Sequence, residues 1–329
     1  MPEFIDAHGI AIVYDVHPAR SEPRGIVQVL HGVGEHAGRY GALIEALTGA
    51  GFIVYADNHR GHGRTGIRQH GGDVDKLGRL GPGGLRAAKD AVWQLTRVIH
   101  DEEDAGLPLI LFGHSWGSFL AQMLVDEHPF AYDGLVLSGS ALRWPGSLNP
   151  GNLNAPWQTA GALGTEWLSS DATVGQAFLD DPLTTSVPLL KLFGPRDALR
   201  LYGLPRRTPG VDLPVLLQVG RDDTVGGPRS VHRLADAYRR RSGFTDVTTL
   251  VYPEARHEIY NEVEQAQVRR DLLAWLDARY PLRPASADLA APPAAPDPGP
   301  APADPPAPAD PPAPAAPPAP AAPPAPAAP

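Results

Sequence analysis

Residues 113–117 read Gly-His-Ser-Trp-Gly, the G-x-S-x-G spacing that can present a serine hydroxyl as a nucleophile. The pattern alone arises often by chance, and its setting gives it force. It follows the apolar run 109–112 without a gap. It precedes a stretch in which Phe119, Leu120, Met123 and Leu124 recur at helical spacing before Pro129. In a strand, sharp turn and helix, two glycines leave room for a strained turn that lifts the Ser115 hydroxyl clear of the backbone. The same turn aims the next helix N-terminus at developing negative charge. The plainer alternative is that Ser115 caps the helix.

A serine hydroxyl is a poor nucleophile until a base takes its proton, and that base needs an acid to orient it. With this turn type the chain order is Ser, then Asp or Glu, then His, each partner just past a strand end. Downstream, the apolar run 215–219 leads into Gly220-Arg221-Asp222-Asp223, and the run 248–252 leads into Pro253-Glu254-Ala255-Arg256-His257. His257 is the only histidine after His232, which falls inside a predicted helix, so His257 is the expected base. Asp223 is preferred to Asp222 as the orienting acid, because the third position after the glycine is where this loop type presents its carboxylate. Asp222 is then solvated or caps the loop. A tetrahedral intermediate also needs N–H donors, each worth about 2.7–4 kcal/mol of barrier stabilisation. The expected backbone donors are Trp116, directly after Ser115, and Val33, in the segment His31-Gly32-Val33-Gly34 that follows the run 26–30.

These residues are far apart in sequence, so the fold must gather them. Apolar runs at 10–14, 26–30, 52–56, 109–112, 135–137, 215–219 and 248–252 predict strands, several of them continuously apolar, as where helices cover both sheet faces. Amphipathic segments predict helices over 43–48, 84–99, 118–127, 229–239 and 262–279. Asn261 and Glu264 have the spacing of a capping box for the last one, and Pro281 stops it. The alternation predicts an α/β fold, a doubly wound and mostly parallel sheet. Between 142 and 210 no strand signal occurs, yet the stretch is too long for a structureless loop. It predicts a helical cap insertion, with Trp144, Trp157 and Trp167 as candidate pocket residues; plain packing is the alternative for these rings.

Composition narrows the chemistry. The 329 residues are 43% hydrophobic and 20% charged, with a formal charge of −9 and no Cys. Without Cys there is no disulfide scaffold, zinc–thiolate site or cysteine nucleophile. The acidic balance argues against a nucleic-acid partner. The first twenty residues lack the apolar core of a signal peptide, and no run approaches the roughly eighteen apolar residues that cross a bilayer. The expected location is therefore cytoplasmic. Nineteen of the 38 prolines fall in residues 285–329, with four Asp, no base, no aromatic residue, and ADPPAP and AAPPAP repeats. This predicts a catalytic domain over 1–284, holding the cap at about 142–210, and a disordered or polyproline-like tail over 285–329.

Taken together, several motifs resemble the monoacylglycerol lipase and lysophospholipase branch of the α/β-hydrolases. They are His31-Gly32-Val33-Gly34-Glu35-His36 with Arg39-Tyr40, Asp57-Asn58-His59-Arg60-Gly61-His62-Gly63-Arg64, and the turn at Ser115. In the cap, Leu168-Ser169-Ser170-Asp171 and Asp181-Pro182-Leu183 are similar to that branch, as are His257-Glu258 and Asn261-Glu262 at the C-terminal histidine. The resemblance spans about residues 10–280. It implies the α/β-hydrolase fold and a serine hydrolase with no cofactor or metal, acting on small-molecule acyl esters with one long apolar chain. It implies no defined protein partner, and transient contact with a membrane surface through the cap. Where the branch follows its nucleophile with a small or flexible residue and two glycines, this chain has Trp116, Gly117 and Ser118, so the indole is expected to narrow or re-floor the acyl pocket. Glu35, His36 and Arg39 are expected to brace the oxyanion loop, and His59 and His62 to make loop hydrogen bonds. Among rival chemistries, a serine excludes the Asp-nucleophile dehalogenases and epoxide hydrolases of this fold. An iminopeptidase would need cap acids for an amino group, for which Glu166, Asp171, Asp180 and Asp181 are candidates. A perhydrolase shares the triad. A receptor-like pseudo-hydrolase would typically lack one of its members.

Overall fold

The runs without polar alternation become strands buried on both faces. A computed structural model of the protein describes residues 2–103 and 106–282; the expected tail over 285–329 lies outside the described residues. The strands are β1 (Glu3–Ile5), β2 (Ala11–His17), β3 (Gly25–Leu30), β4 (Phe52–Asp57), β5 (Leu109–His114), β6 (Gly134–Ser138), β7 (Val215–Gly220) and β8 (Val247–Tyr252). Every residue of β3 to β7 is buried. They form one eight-stranded sheet in the order β1-β2-β4-β3-β5-β6-β7-β8. The β1–β2 and β2–β4 pairs are antiparallel, and every other pair is parallel.

The two-residue period of a strand divides the core in two. Ile26, Leu111, Leu135 and Leu217 pack on one face with Leu95, Leu124 and Leu234 from α3 (Gly84–Glu102), α4 (Trp116–Glu127) and α7 (Gly227–Ala237). Val27, Ile110, Val136 and Leu216 pack on the other with Leu47, Leu272 and Trp275 from α1 (Gly41–Gly49) and α8 (Gln265–Arg279). The strand order reverses at β3, between β4 and β5, so the chain leaves β3 and β5 side by side. Their carboxyl ends form the crevice where sheets of this kind hold ligands.

Three features depart from expectation. Strand β1, three residues long at the sheet edge, and α2 (Gly63–Gln69), a single short helix, gave no apolar pattern strong enough to predict them. The capping box is absent: α8 starts at Gln265, and Asn261 sits in a 3₁₀ turn, where its side chain donates to Glu258 Oε2 at 2.9 Å. Residues 142–210 contain no strand. They hold a 3₁₀ turn (Ala155–Trp157), α5 (Ala172–Asp180) and α6 (Leu189–Arg200), the last kinked at Gly194 (φ 76°) before Pro195.

Candidate active site

Strand β5 ends at His114 and α4 begins at Trp116, so one residue makes the whole turn. That residue, Ser115, has φ 52° and ψ −123°, and is the only described non-glycine residue with positive φ. The flanking glycines are required by close approach. A Cβ on Gly117 would lie 2.3 Å from the Leu30 carbonyl oxygen, and one on Gly113 would lie 2.7 Å from the Gly117 oxygen. The Ser115 side chain makes no capping bond to α4, so the plainer alternative fails. Helix α4 is instead anchored by Ser118, whose hydroxyl donates to the Ser115 carbonyl at 2.5 Å and pairs with the Ser140 hydroxyl at 2.7 Å.

The loop leaving β3 runs against this turn. A Cβ on Gly32 would stand 3.1 Å from Ser115 Cβ, so the loop that carries Val33 passes directly against Ser115. Trp116 is the first residue of α4, where the N–H has no intrahelical acceptor. The loop is held by Glu35, buried, whose Oε1 accepts the Gly32 N–H at 2.6 Å and the Tyr40 hydroxyl at 2.7 Å. Arg39 then donates to Glu35 at 2.9 Å and, through both terminal nitrogens, to Glu258 at 2.6 and 2.8 Å. Burial raises the Glu35 pKa against the pull of Arg39. For Glu258 burial also acts upward, but the bidentate Arg39 contact wins and its pKa is lowered. This cross-link joins residues 219 apart in sequence, and nothing in either local motif signals it.

Asp223 follows β7 and His257 follows β8; the two meet at 3.0 Å, Oδ1 to Nδ1, and both are buried. Asp223 Oδ1 also accepts the Val225 N–H at 2.8 Å, while Asp222 is exposed. Burial alone pushes the His257 pKa down, yet the charges of Asp223, Glu258 and Glu35 and the Asp223 hydrogen bond outweigh it and leave the pKa raised. With Nδ1 on the carboxylate, the other ring nitrogen, Nε2, is buried and has no hydrogen-bond partner among the described residues. The His257 ring lies 4.8 Å from that of His114, the residue before Ser115, and 4.9 Å from Trp167. His114 itself is held neutral by burial and by the neighbouring His257 charge.

The three cap tryptophans separate. Trp167 faces His257, and its carbonyl accepts the His257 N–H at 3.3 Å. Trp157 stacks under the Arg256 guanidinium at 4.3 Å. Trp144, 49% exposed, follows the buried Leu142 and Arg143 at the start of the insertion and makes no ring contact with the other site residues. The Trp116 indole is completely buried, stacked on His62 at 5.2 Å, edge-on to His59 at 5.4 Å, and 5.0 Å from Phe193 of α6. His59 and His62 spend Nδ1 on Asp57 and on the Arg60 carbonyl. Burial holds His62 neutral, its pKa pushed down to about 3.

Segment 142–210 is tied to these loops at several points. His36 Nε2 contacts Asp181 at 2.8 Å, the Thr185 N–H donates to Gly34 at 2.8 Å, and the Ser170 N–H donates to Glu262 at 2.9 Å. The acids weighed for an amino group are already engaged. Glu166 accepts Asn154 and two backbone N–H groups, Asp171 caps α5, Asp180 takes Gln176, and Asp181 takes His36.

Comparison with known proteins places this geometry. The family described as serine aminopeptidase, S33, matches residues 21–264. A monoacylglycerol lipase of Mycolicibacterium smegmatis is 32% identical over 290 residues, covering 83% of this chain and 95% of the relative. Human monoglyceride lipase is 27% identical over 305 residues, covering 89% and 94%. Among solved structures, a thermostable carboxyl esterase from Bacillus coagulans superposes with a TM-score of 0.72 at 25% identity, covering 85% of this chain and 98% of that one.

Proposed function

We propose, from the premise that the chain belongs to the serine aminopeptidase (S33) family of α/β-hydrolases, that it hydrolyses carboxylic esters of acyl chains, of the monoacylglycerol or lysophospholipid type. The observation that carries the reading is the buried Asp223–His257 pair, whose ring presents an unpartnered Nε2 beside the strained turn at Ser115. In the proposed cycle Ser115 Oγ attacks the ester carbonyl carbon while its proton passes to His257 Nε2. The resulting alkoxide is held by the Val33 and Trp116 N–H groups. Its collapse breaks the C–O bond to the alcohol, which leaves with the proton from His257. Water, activated by the same imidazole, then cleaves the acyl-enzyme. Asp223 stays ionised and holds the tautomer in which Nε2 is free to act as base.

Ester substrates are favoured over peptides by the acids of segment 142–210, each committed to local structure and none left free to receive a substrate ammonium. Half-buried Trp167 is the aromatic residue placed to meet an acyl group at His257. Exposed Leu163, Val187, Leu190 and Leu199 on the same segment support transient contact with a lipid surface.

The test is a set of variants assayed on p-nitrophenyl esters and monoacylglycerols of graded chain length. Ser115→Ala and His257→Ala are expected to lower kcat by on the order of 10⁶. Asp223→Asn should lower it by about 10⁴. A fluorophosphonate probe should label the wild type and leave Ser115→Ala unlabelled. Unchanged turnover in either of the first two variants rejects the reading.

A further inference from the structure

Away from Ser115, a cavity of about 360 Å³ opens where segment 142–210 leaves the sheet and returns to it. Arg143, from the departing arm, and Arg200 and Arg206, from the returning arm, line it together with Arg86 and Lys89 of α3. The two arms are bonded to each other there. Arg143 Nη1 donates to the Leu201 carbonyl at 2.9 Å, and the Gly203 N–H donates to the Arg143 carbonyl at 2.7 Å.

Three carboxylates also line the cavity, and each is already engaged. Glu127 and Asp90 contact Lys89. Asp126 accepts the Arg206 N–H at 2.8 Å and faces Arg143 at 3.4 Å. Arg200 is shared with Asp197. The guanidinium groups of Arg86, on α3, and Arg206, on the returning arm, make no hydrogen bond or ion pair among the described residues, although the Arg206 charge acts on nearby Asp126. Arg143, 3% exposed, sits among them; burial lowers its pKa and raises that of Asp126, each against the pull of the other's charge. Five cations line the cavity against three carboxylates, with Asp197 a fourth on Arg200, so the lining keeps a positive balance. The exposed guanidinium groups of Arg86 and Arg206 are the donor type that takes a phosphate through paired N–H bonds. Leu85, Met123 and Leu204 supply an apolar flank for whatever carries it.

We propose that this cavity is a binding site for a phosphate group, carried by a small organic phosphate or by a phospholipid headgroup, which bridges Arg86 to Arg206 and so clamps the returning arm of segment 142–210 to α3. The site stands on its own, whatever the reaction at Ser115 proves to be. Its test is therefore a binding measurement on the full chain. Thermal unfolding is followed in rising inorganic phosphate and in glycerol 3-phosphate, with sodium chloride at matched ionic strength as the reference. Flotation with phosphatidic acid vesicles, against neutral phosphatidylcholine vesicles, covers the headgroup source. The expected result is a saturable Tm rise of about 2 °C or more in at least one phosphate, or retention by phosphatidic acid vesicles alone. The R86Q/R206Q double variant should abolish either response. Both side chains are exposed, so this variant should fold, and its Tm without ligand checks that. No saturable shift and no vesicle retention overturns the site, as does an undiminished response in the double variant.

Discussion

Ser115 holds a backbone conformation that an L-residue keeps only when its surroundings over-determine it, and Gly113, Gly117 and the Leu30 carbonyl are those surroundings. The same crowding explains why the residue types around it were readable in sequence: glycine is the only side chain that fits at either flank. The charge environment of His257 was not readable. Its pKa is raised because Asp223, Glu258 and Glu35 together outweigh the desolvation of a buried ring, and Arg39 bonds two of those carboxylates to each other. A general base works when neutral, so kcat/KM should rise with pH through a value above that of a free imidazole. In Glu258→Gln one raising charge is gone and the Arg39 cation is less compensated. Both changes act downward on His257, so the acid limb of kcat/KM should move to lower pH, by up to about one pH unit. A pH–rate profile measured on a soluble short ester reads this directly. An acid limb that stays in place or moves upward contradicts the electrostatic account. Sequence motifs had named Glu35, Arg39 and Glu258 separately, but a contact across 219 residues follows only from the way β3 and β8 present their exit loops.

Elements were legible wherever burial leaves a pattern in the chain: strands buried on both faces gave the long apolar runs of β3 to β7, and helices buried on one face gave the amphipathic period of α3 and α7. What escaped were pieces stabilised by tertiary contact alone. Helix α2 is seven residues long, and its Thr65 hydroxyl accepts the Val13 N–H from β2, a contact that no local pattern records. The start of α8 was misjudged because Glu262, which a capping reading would place in its first turn, instead accepts N–H groups of Ser170 and Arg256. The junction of β5 with α4 makes the sharpest demand. Helix α4 crosses so close to β3 that a Cβ at Gly117 would meet the Leu30 and His31 carbonyl oxygens at 2.3 and 2.5 Å, and both are backbone atoms that cannot rotate away. Gly117→Ala should therefore cost about 2–3 kcal/mol, read as a Tm loss of several degrees, and should impair probe labelling at Ser115. Gly49→Ala, at the end of α1 with nothing within 4 Å of its added carbon, is the matched control and should shift Tm by about a degree or less. Equal effects at the two sites would show that the helix is not pinned to β3 as described.

At the scale of the molecule, the loops that follow β3 and β8 leave strands with three others between them in the sheet, and polar contacts fasten them to each other and to segment 142–210. Arg39 joins the loop after β3 to the loop after β8, His36 and Gly34 hold Asp181 and Thr185, and Glu262 holds Ser170. Every one of these contacts is made between described residues. The composition of residues 285–329, with no aromatic residue, no base and a single Leu, offers that assembly neither apolar area nor a cation for its carboxylates. Their four acids account for −4 of the chain's −9, so a chain ending at Pro284 carries −5. The shorter chain is then expected to keep its specific activity, to melt within about 5 °C of the full chain, and to elute earlier from an anion exchanger, since it has lost negative charge. Activity and differential scanning measured on both chains side by side decide the matter. A Tm loss beyond that margin would mean that the proline-rich residues contribute contacts their composition does not predict, and the division at residue 284 would have to be redrawn.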